Sequence, residues 1–187
     1  MSTAVTTPRN DRVELGQERG RPAKQECRRL ARQDAVAARL AELHRIRALL
    51  QEAEVVVSTG WVQNAWFAVT GTQGGQVPVS AHDLQLVEEG PVSGACLVGG
   101  IVHAAGGPAA VHTQLVQRTL DLTWHALRED ERRPVRWCPS PEVRAAHVRD
   151  LTRWNDQPRR TAEEVVSLLR SAVGTADAQI GLCRTCP

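Results

Sequence analysis

The feature that most constrains the fold is the stretch Leu151–Leu169, which reads LTRWNDQPRRTAEEVVSLL. Asn155 and Asp156 favour helix ends and turns, because their short side chains bond nearby main-chain groups. A proline two residues later biases the residue before it away from helical angles. Thr161 and Glu164 have the spacing of a capping box, which begins a helix. The stretch therefore predicts a helix, a tight corner and a final helix, with an active site at Asn155 and Asp156 as the alternative.

The aromatic content limits how a core can be built. The chain of 187 residues has five tryptophans, one phenylalanine and no tyrosine, with 42% hydrophobic and 24% charged residues. This length suits one domain with a proper core and is short for two. We expect a core of Val, Leu and Ala, in which tryptophans act as anchors.

Helical periodicity places the first helix from Arg32 to between Ala53 and Thr59. Its buried face would consist of Val36, Leu40, Leu43 and Leu50. The segment WVQNAWFAV that follows predicts a strand, and VPVS predicts a second one after a Gly-containing loop. Pro78 confines the second strand to an edge. These two strands would form a hairpin packed against helices.

Three more helices are predicted between this hairpin and the corner. Ser93 would cap a helix that carries GACLVGGIVHAA, and another helix would run from Ala109 to Arg128. Ser140 would cap the helix that ends at the corner, with its buried stripe formed by Val143, His147, Leu151 and Trp154. The predicted fold class is α-rich α+β: about five helices with a small two-stranded antiparallel hairpin, in a single domain.

Three regions follow from this pattern. Residues 1–31 lack apolar periodicity and predict a mobile N-terminal arm. Residues 32–175 would form the globular helical domain, and residues 176–187 a C-terminal tail.

Three short segments also resemble a family. WVQNA at 61–65, CLVGGI at 96–101 and WNDQPRRT at 154–161 are similar, in order and spacing, to landmarks of domain-of-unknown-function family 6197. This family is uncharacterised and occurs in actinobacteria and their phages. The resemblance covers residues 35–173 and implies a shared fold, not an activity. The chain departs from the family pattern at Asn64 and Arg159, where glycine is usual; at positive φ, asparagine is tolerated and arginine poorly so.

Cys96 is the sharpest candidate for catalysis. In the first turn of a helix capped by Ser93, its thiolate would be favoured by the helix dipole and free amides. A cysteine hydrolase or transferase also needs a base and orienting groups, for which His147, Asn155 and Asp156 are candidates. The alternative is a purely structural role, in which Cys96 is a small buried residue where helices pack closely.

No cofactor or metal is predicted. Cys183 and Cys186 form half of a zinc site, but no second pair lies at ligand spacing. The most apolar window is too short and too broken to span a membrane, and the odd cysteine count does not indicate disulfides. We therefore predict a cytoplasmic protein with no membrane partner. The formal net charge of +2 does not favour nucleic acid as a partner.

Three functional hypotheses remain. The leading one is an accessory protein of mobile-element or phage-related origin that acts through contacts with an unknown protein partner. Its candidate contact residues are Trp61, Gln63, Trp66 and Trp154, since tryptophan anchors partner surfaces. The second is a Cys-dependent hydrolase or transferase that uses Cys96 with Asn155 and Asp156. The third is weak DNA binding through the Arg-rich arm and first helix. The sequence leaves open whether the protein is an enzyme.

Overall fold

Five α-helices and three short β-strands are present in the part of the chain that the structure describes. The structure, a computed structural model, describes residues 20–71, 73–88, 91–128, 134–135, 137 and 140–185, with the main chain alone for residues 20–23, 86 and 88. The helices are α1 Gly20–Thr59, α2 Leu97–Ala104, α3 Gln114–Arg128, α4 Pro141–Asn155 and α5 Ala162–Thr185. The strands are β1 Phe67–Thr70, β2 Gln76–Val79 and β3 Val92–Ala95, and two 3₁₀ turns lie at Leu84–Glu88 and Pro108–Ala110. The mainly helical class with a small antiparallel sheet is thus confirmed.

The chain divides into two compact units, residues 1–38 and residues 39–187. In the described part of the first unit, helix α1 begins at Gly20 rather than near Arg32. Every side chain from Lys24 to Ala38 is exposed. Val36, which the periodicity placed on a buried face, is 39% exposed. Residues 1–19, the rest of the predicted arm, lie outside the described residues.

The core of the second unit is aliphatic and follows helical spacing. Helix α3 packs against both α4 and α5. The part of α1 after residue 38 buries Leu43, Ile46, Leu50, Ala53 and Val57. The buried face of α5 contains the predicted Val165, Leu168, Leu169 and Ala172 and continues through Ala176 and Ile180. Helix α5 therefore extends into the region predicted to be a tail.

The sheet has three strands in the order β2-β1-β3, all antiparallel, so the prediction of two strands was wrong. The predicted hairpin is present as β1 and β2, and Pro78 lies on the edge strand β2 as expected. Ser93 does not cap a helix: it lies in β3, and its hydroxyl donates to the Ala68 carbonyl oxygen at 3.2 Å. A short strand formed by distant pairing has no local signature that separates it from a helix start.

Residues 61–66 form a loop, not the predicted first half of a strand. Asn64 has a φ of 57°, in the left-handed region, and this breaks the extended conformation. Strand β1 begins at Phe67, and the loop touches the sheet through an isolated parallel bridge between Trp61 and Ala95. Asn64, where the resemblance implies glycine, thus adopts a left-handed conformation that asparagine tolerates. Arg159 is not among the described non-glycine residues with positive φ, so the glycine usual there is not required by a left-handed backbone.

The corner between α4 and α5 has the predicted stop, turn and start. Ser140 caps α4 by accepting from the Val143 amide, and Asp156 is the C-cap of α4. The capping box that begins α5 is complete. The Thr161 amide donates to Glu164 Oε2 at 2.9 Å, and the Glu164 amide donates to Thr161 Oγ1 at 3.3 Å. Of the predicted stripe of α4, Leu151 is buried, His147 and Trp154 are half-buried, and Val143 is 44% exposed.

Candidate functional site

The three segments that carry the family resemblance meet at one place, which we call the corner site. It consists of the loop at residues 61–64, the start of helix α2 at residues 96–99, and the end of helix α4 at residues 154–157. These segments are far apart in sequence, and direct hydrogen bonds join them. The loop is also joined to the sheet by main-chain bonds with Ala95, the last residue of β3: the Val62 amide donates to the Ala95 carbonyl oxygen at 3.3 Å, and the Ala95 amide donates to the Gly60 carbonyl oxygen at 2.8 Å. The corner site is thus a junction between the sheet, α2 and the α4–α5 corner.

Asn155 is the hub of the corner site, and its side chain is fully buried. Its Oδ1 accepts from the Trp61 indole N–H at 2.9 Å and from the Leu97 amide at 3.1 Å. Its Nδ2 donates to the Val62 carbonyl oxygen at 3.1 Å and to Asp156 Oδ1 at 2.9 Å. Two donors and two acceptor positions are what an asparagine amide offers, so its hydrogen-bonding capacity is used within the protein.

Gln63 and Asp156 complete the connection from the opposite side. Gln63 Nε2 donates to the carbonyl oxygens of Asn155, at 3.0 Å, and Gln157, at 2.8 Å, which are freed where α4 ends. Asp156 Oδ1 accepts from the Asn64 amide at 2.9 Å as well as from Asn155. Asn64 is in the left-handed conformation, and its main-chain amide points at the end of α4. These contacts fix the loop in one orientation.

Cys96 is the N-cap of helix α2, whereas the sequence suggested that it lies within the first turn of a helix capped by Ser93. Its Sγ accepts from the Gly99 amide at 3.3 Å, and its own amide donates to the Trp66 carbonyl oxygen at 3.0 Å. The side chain is 1% exposed. Burial raises the pKa of the Cys96 thiol to about 12, against the opposing effect of the Gly99 amide. The thiol is therefore protonated at neutral pH, and desolvation outweighs the favourable helix terminus.

Gly99 permits the close approach that positions Cys96. A Cβ on Gly99 would lie 1.9 Å from the Trp66 carbonyl oxygen, so only glycine fits without movement of the main chain. The Cys-Leu-x-Gly segment is thereby explained residue by residue: the thiol caps the helix, the Leu97 amide bonds Asn155, and Gly99 gives the loop room to pass.

His147 belongs to a different cluster. Its Nδ1 lies 2.8 Å from Asp121 Oδ1, and its ring stacks on Trp124 with centroids 4.0 Å apart. The Asp121 side chain, 2% exposed, also pairs with Arg144 at 3.4 Å. Eight residues separate His147 from Asn155 on helix α4, roughly 12 Å along its axis. The structure therefore brings Cys96 to Asn155 and Asp156, but places His147 in a separate ion-paired group on α3 and α4.

Asp121 was missed by the sequence reasoning. It lies between Leu120 and Leu122 on α3, at a position that apolar periodicity would not single out. The available signal was the pair Arg144 and His147, one helical turn apart on α4, which presents two basic groups to one carboxylate.

The predicted contact tryptophans are half-buried, and two of them lie at the corner site. Trp61 is held by Asn155, and Arg160 lies over the Trp154 ring with its guanidinium carbon 3.9 Å from the centroid. Trp66 packs against the core, and its carbonyl oxygen receives the Cys96 amide. Asn64, Gln157 and Arg159 surround this region as exposed residues.

Within the residues that the structure describes, no group of three or more His, Cys, Asp or Glu is arranged to hold a metal ion. Cys183 is a free cysteine, while Cys186, the other cysteine of the half zinc site considered above, lies outside the described residues. None of the described helices combines the length and apolar character needed to cross a membrane. A pocket of about 510 Å³ is lined by Val87, Pro91, Val92, His103, Gly106, Gly107, Pro108 and Ala109, and thus by no residue of the corner site.

The fold and the corner site define a mainly helical domain in which three sequence landmarks form one hydrogen-bonded junction. The chain matches the family model described as "Family of unknown function (DUF6197)" over residues 41–175, and it belongs to that family. No curated protein and no solved structure matches the chain.

Proposed function

We propose that the protein is a non-catalytic accessory protein that acts through contacts with another protein, using the surface of the corner site. The observation that carries this proposal is the state of the two side chains that could take part in catalysis. The Asn155 side chain makes its hydrogen bonds within the protein, and the Cys96 thiol is buried and protonated. Such groups hold a surface rigid and leave little free to act on a substrate.

The corner surface has the composition of a contact site. We define it as Trp61, Gln63, Asn64, Trp154, Gln157, Arg159 and Arg160. Tryptophan and arginine are the residue types that dominate binding energy at interfaces. A loop already fixed by hydrogen bonds loses little conformational freedom on binding, which favours affinity.

The cellular setting belongs to the same proposal. Three cysteines in the described residues are unpaired, including the exposed Cys27, and free thiols suit the reducing cytoplasm. The mobile-element or phage-related origin rests on the family resemblance.

Site-specific photo-cross-linking tests the proposal. A photoreactive amino acid would replace Arg159 on the corner surface or, as the control, Arg45, which is exposed on α1. We expect a defined protein adduct from position 159 and none from position 45. The partner, once identified and purified, should bind the Arg159→Glu variant at least tenfold more weakly than Arg45→Glu, since a central interface residue contributes about 1.4 kcal/mol or more.

Two results would contradict the proposal. One is an adduct pattern that is the same at both positions. The other is hydrolase or transferase turnover by the purified protein that disappears in the Cys96→Ser variant.

A further inference from the structure

The N-terminal half of helix α1 is a helical segment without a core. Each side chain from Lys24 to Ala38 is exposed. Isolated helices of this length are marginal in water, because most helical stability in proteins comes from packing of one face. A segment of this kind gains stability when a partner covers it, and its surface indicates which partner fits.

One face of this segment is basic. Lys24, Arg28 and Arg32 follow one another at intervals of four residues, so they fall within an arc of about 80° of the helix. The acidic residues of the segment, Glu26 and Asp34, lie outside this arc by the same geometry. Glu26 is further engaged by Arg29, at 2.6 Å. The basic face therefore carries three positive charges and no carboxylate.

The segment also lacks an apolar stripe. Its exposed large apolar residues are Leu30 and Val36, at 47% and 39% exposure, and the remaining apolar positions are Ala and Cys. Six residues separate Leu30 from Val36, which places them about 120° apart around the helix. Both a membrane-surface helix and a coiled-coil strand require a continuous apolar face, which this segment does not have.

We infer that the basic face of Lys24, Arg28 and Arg32 binds the phosphate backbone of nucleic acid. The three cations extend over about 12 Å of helix at 1.5 Å per residue. Over that length a DNA duplex carries about seven phosphate charges, at one per ~1.7 Å. Two of the three cations are arginines, and an arginine guanidinium can donate two parallel N–H hydrogen bonds to one phosphate. Contacts of this kind carry no base specificity, so binding is independent of sequence.

The test uses the full chain and a short fluorescein-labelled DNA duplex of random sequence, with binding followed by fluorescence anisotropy. The variant Lys24→Gln/Arg28→Gln/Arg32→Gln removes the basic face. The matched control, Arg45→Gln/Arg149→Gln/Arg153→Gln, removes the same charge from exposed positions that make no ion pair among the described residues. Far-UV circular dichroism confirms that both variants keep their helices.

We expect the native chain and the control to bind with a dissociation constant of about 10⁻⁴–10⁻⁶ M, and the basic-face variant at least tenfold more weakly. Three phosphate contacts give a salt slope of about −2.7, so raising salt from about 50 to about 200 mM should weaken native binding about 40-fold. Equal losses in both variants, or no binding by the native chain, would overturn the inference. So would tighter binding to poly-glutamate or to phosphatidylserine vesicles at equal charge concentration, which would indicate an acidic protein or a membrane instead.

Discussion

At the scale of single residues, the corner site depends on Asn155. Its side chain satisfies the Leu97 amide, the Val62 carbonyl oxygen and the Trp61 indole, groups that would otherwise be poorly hydrated. A buried polar group left without a partner costs about 1–3 kcal/mol, whereas an ordinary hydrogen bond contributes about 1 kcal/mol net. Asn155 therefore stabilises the fold mainly because it keeps these polar groups from being left without a hydrogen-bond partner.

The first prediction concerns this residue. We expect Asn155→Ala to lower the free energy of unfolding by about 3 kcal/mol or more, because it leaves the buried Leu97 amide and the part-buried Trp61 and Val62 groups without this partner. Urea unfolding followed by circular dichroism measures the loss. Gln51→Ala, at an exposed position on α1, is the control and should change stability by less than about 0.5 kcal/mol. A loss below about 1 kcal/mol for Asn155→Ala would show that the junction does not depend on this side chain.

Cys96 leads to a prediction about alkaline pH. Burial raises the pKa of its thiol from 9.0 to about 12, so the folded state favours the protonated form. A group whose folded pKa is raised stabilises the fold fully below the unfolded pKa, and this contribution is lost as pH rises through the folded pKa. We expect the free energy of unfolding to decline between pH 9.0 and about 12. The chain has no tyrosine and a single lysine, so apart from the other four cysteines few groups titrate in this window.

Urea unfolding across that pH window provides the measurement. Cys96→Ser keeps an acceptor for the Gly99 amide and removes the thiol, so its stability should decline less steeply. If the serine variant showed the same decline as the native chain, the alkaline loss would come from other groups.

At the scale of elements, the start of α2 is set by how closely it approaches the loop before β1. Gly99 and Gly181 are both helical glycines, yet a Cβ on Gly99 would lie 1.9 Å from a carbonyl oxygen, while one on Gly181 would meet nothing within 4 Å. The same substitution should therefore have opposite effects in α2 and α5.

We expect Gly181→Ala to raise stability by up to about 1 kcal/mol, because alanine restricts the unfolded chain and favours the helix. Gly99→Ala should lower it by about 2 kcal/mol or more, since the main chain must shift and the bonds to Cys96 and Leu97 are strained. Thermal unfolding of the two variants side by side is the measurement. Equal effects of the two changes would mean that α2 can move away from the Trp66 carbonyl without loss.

At the scale of the whole molecule, the features readable from sequence are those with local causes. The capping box at Thr161 and Glu164, the proline at the edge of the sheet and the apolar face of α5 each follow from residues within a few positions of one another. Strand β3 was read as part of a helix because its pairing with β1 is not local. The exposed start of α1 was missed because helix formation there has no apolar periodicity to mark it.

The corner site could be anticipated only in part. The resemblance marked its three segments, but it did not show that they meet, since the Trp61 indole and Asn155 are 94 residues apart in sequence. The sequence could not decide between an activated and a buried Cys96 for a similar reason: the helix terminus is a local feature, whereas the burial that raises the pKa of its thiol comes from the tertiary structure.

The last prediction concerns the independence of residues 39–187. These residues form a compact unit that contains the sheet, the corner site and the whole region that matches the family, 41–175. The described side chains before Arg39 are all exposed. We therefore expect a chain of residues 39–187 to unfold in one cooperative transition, with a free energy of unfolding within about 1 kcal/mol of the full chain, since exposed residues contribute little. Urea unfolding followed by tryptophan fluorescence makes the comparison, because all five tryptophans remain in the shorter chain. A loss of more than about 2 kcal/mol would contradict the prediction, because stability would then depend on residues before Arg39.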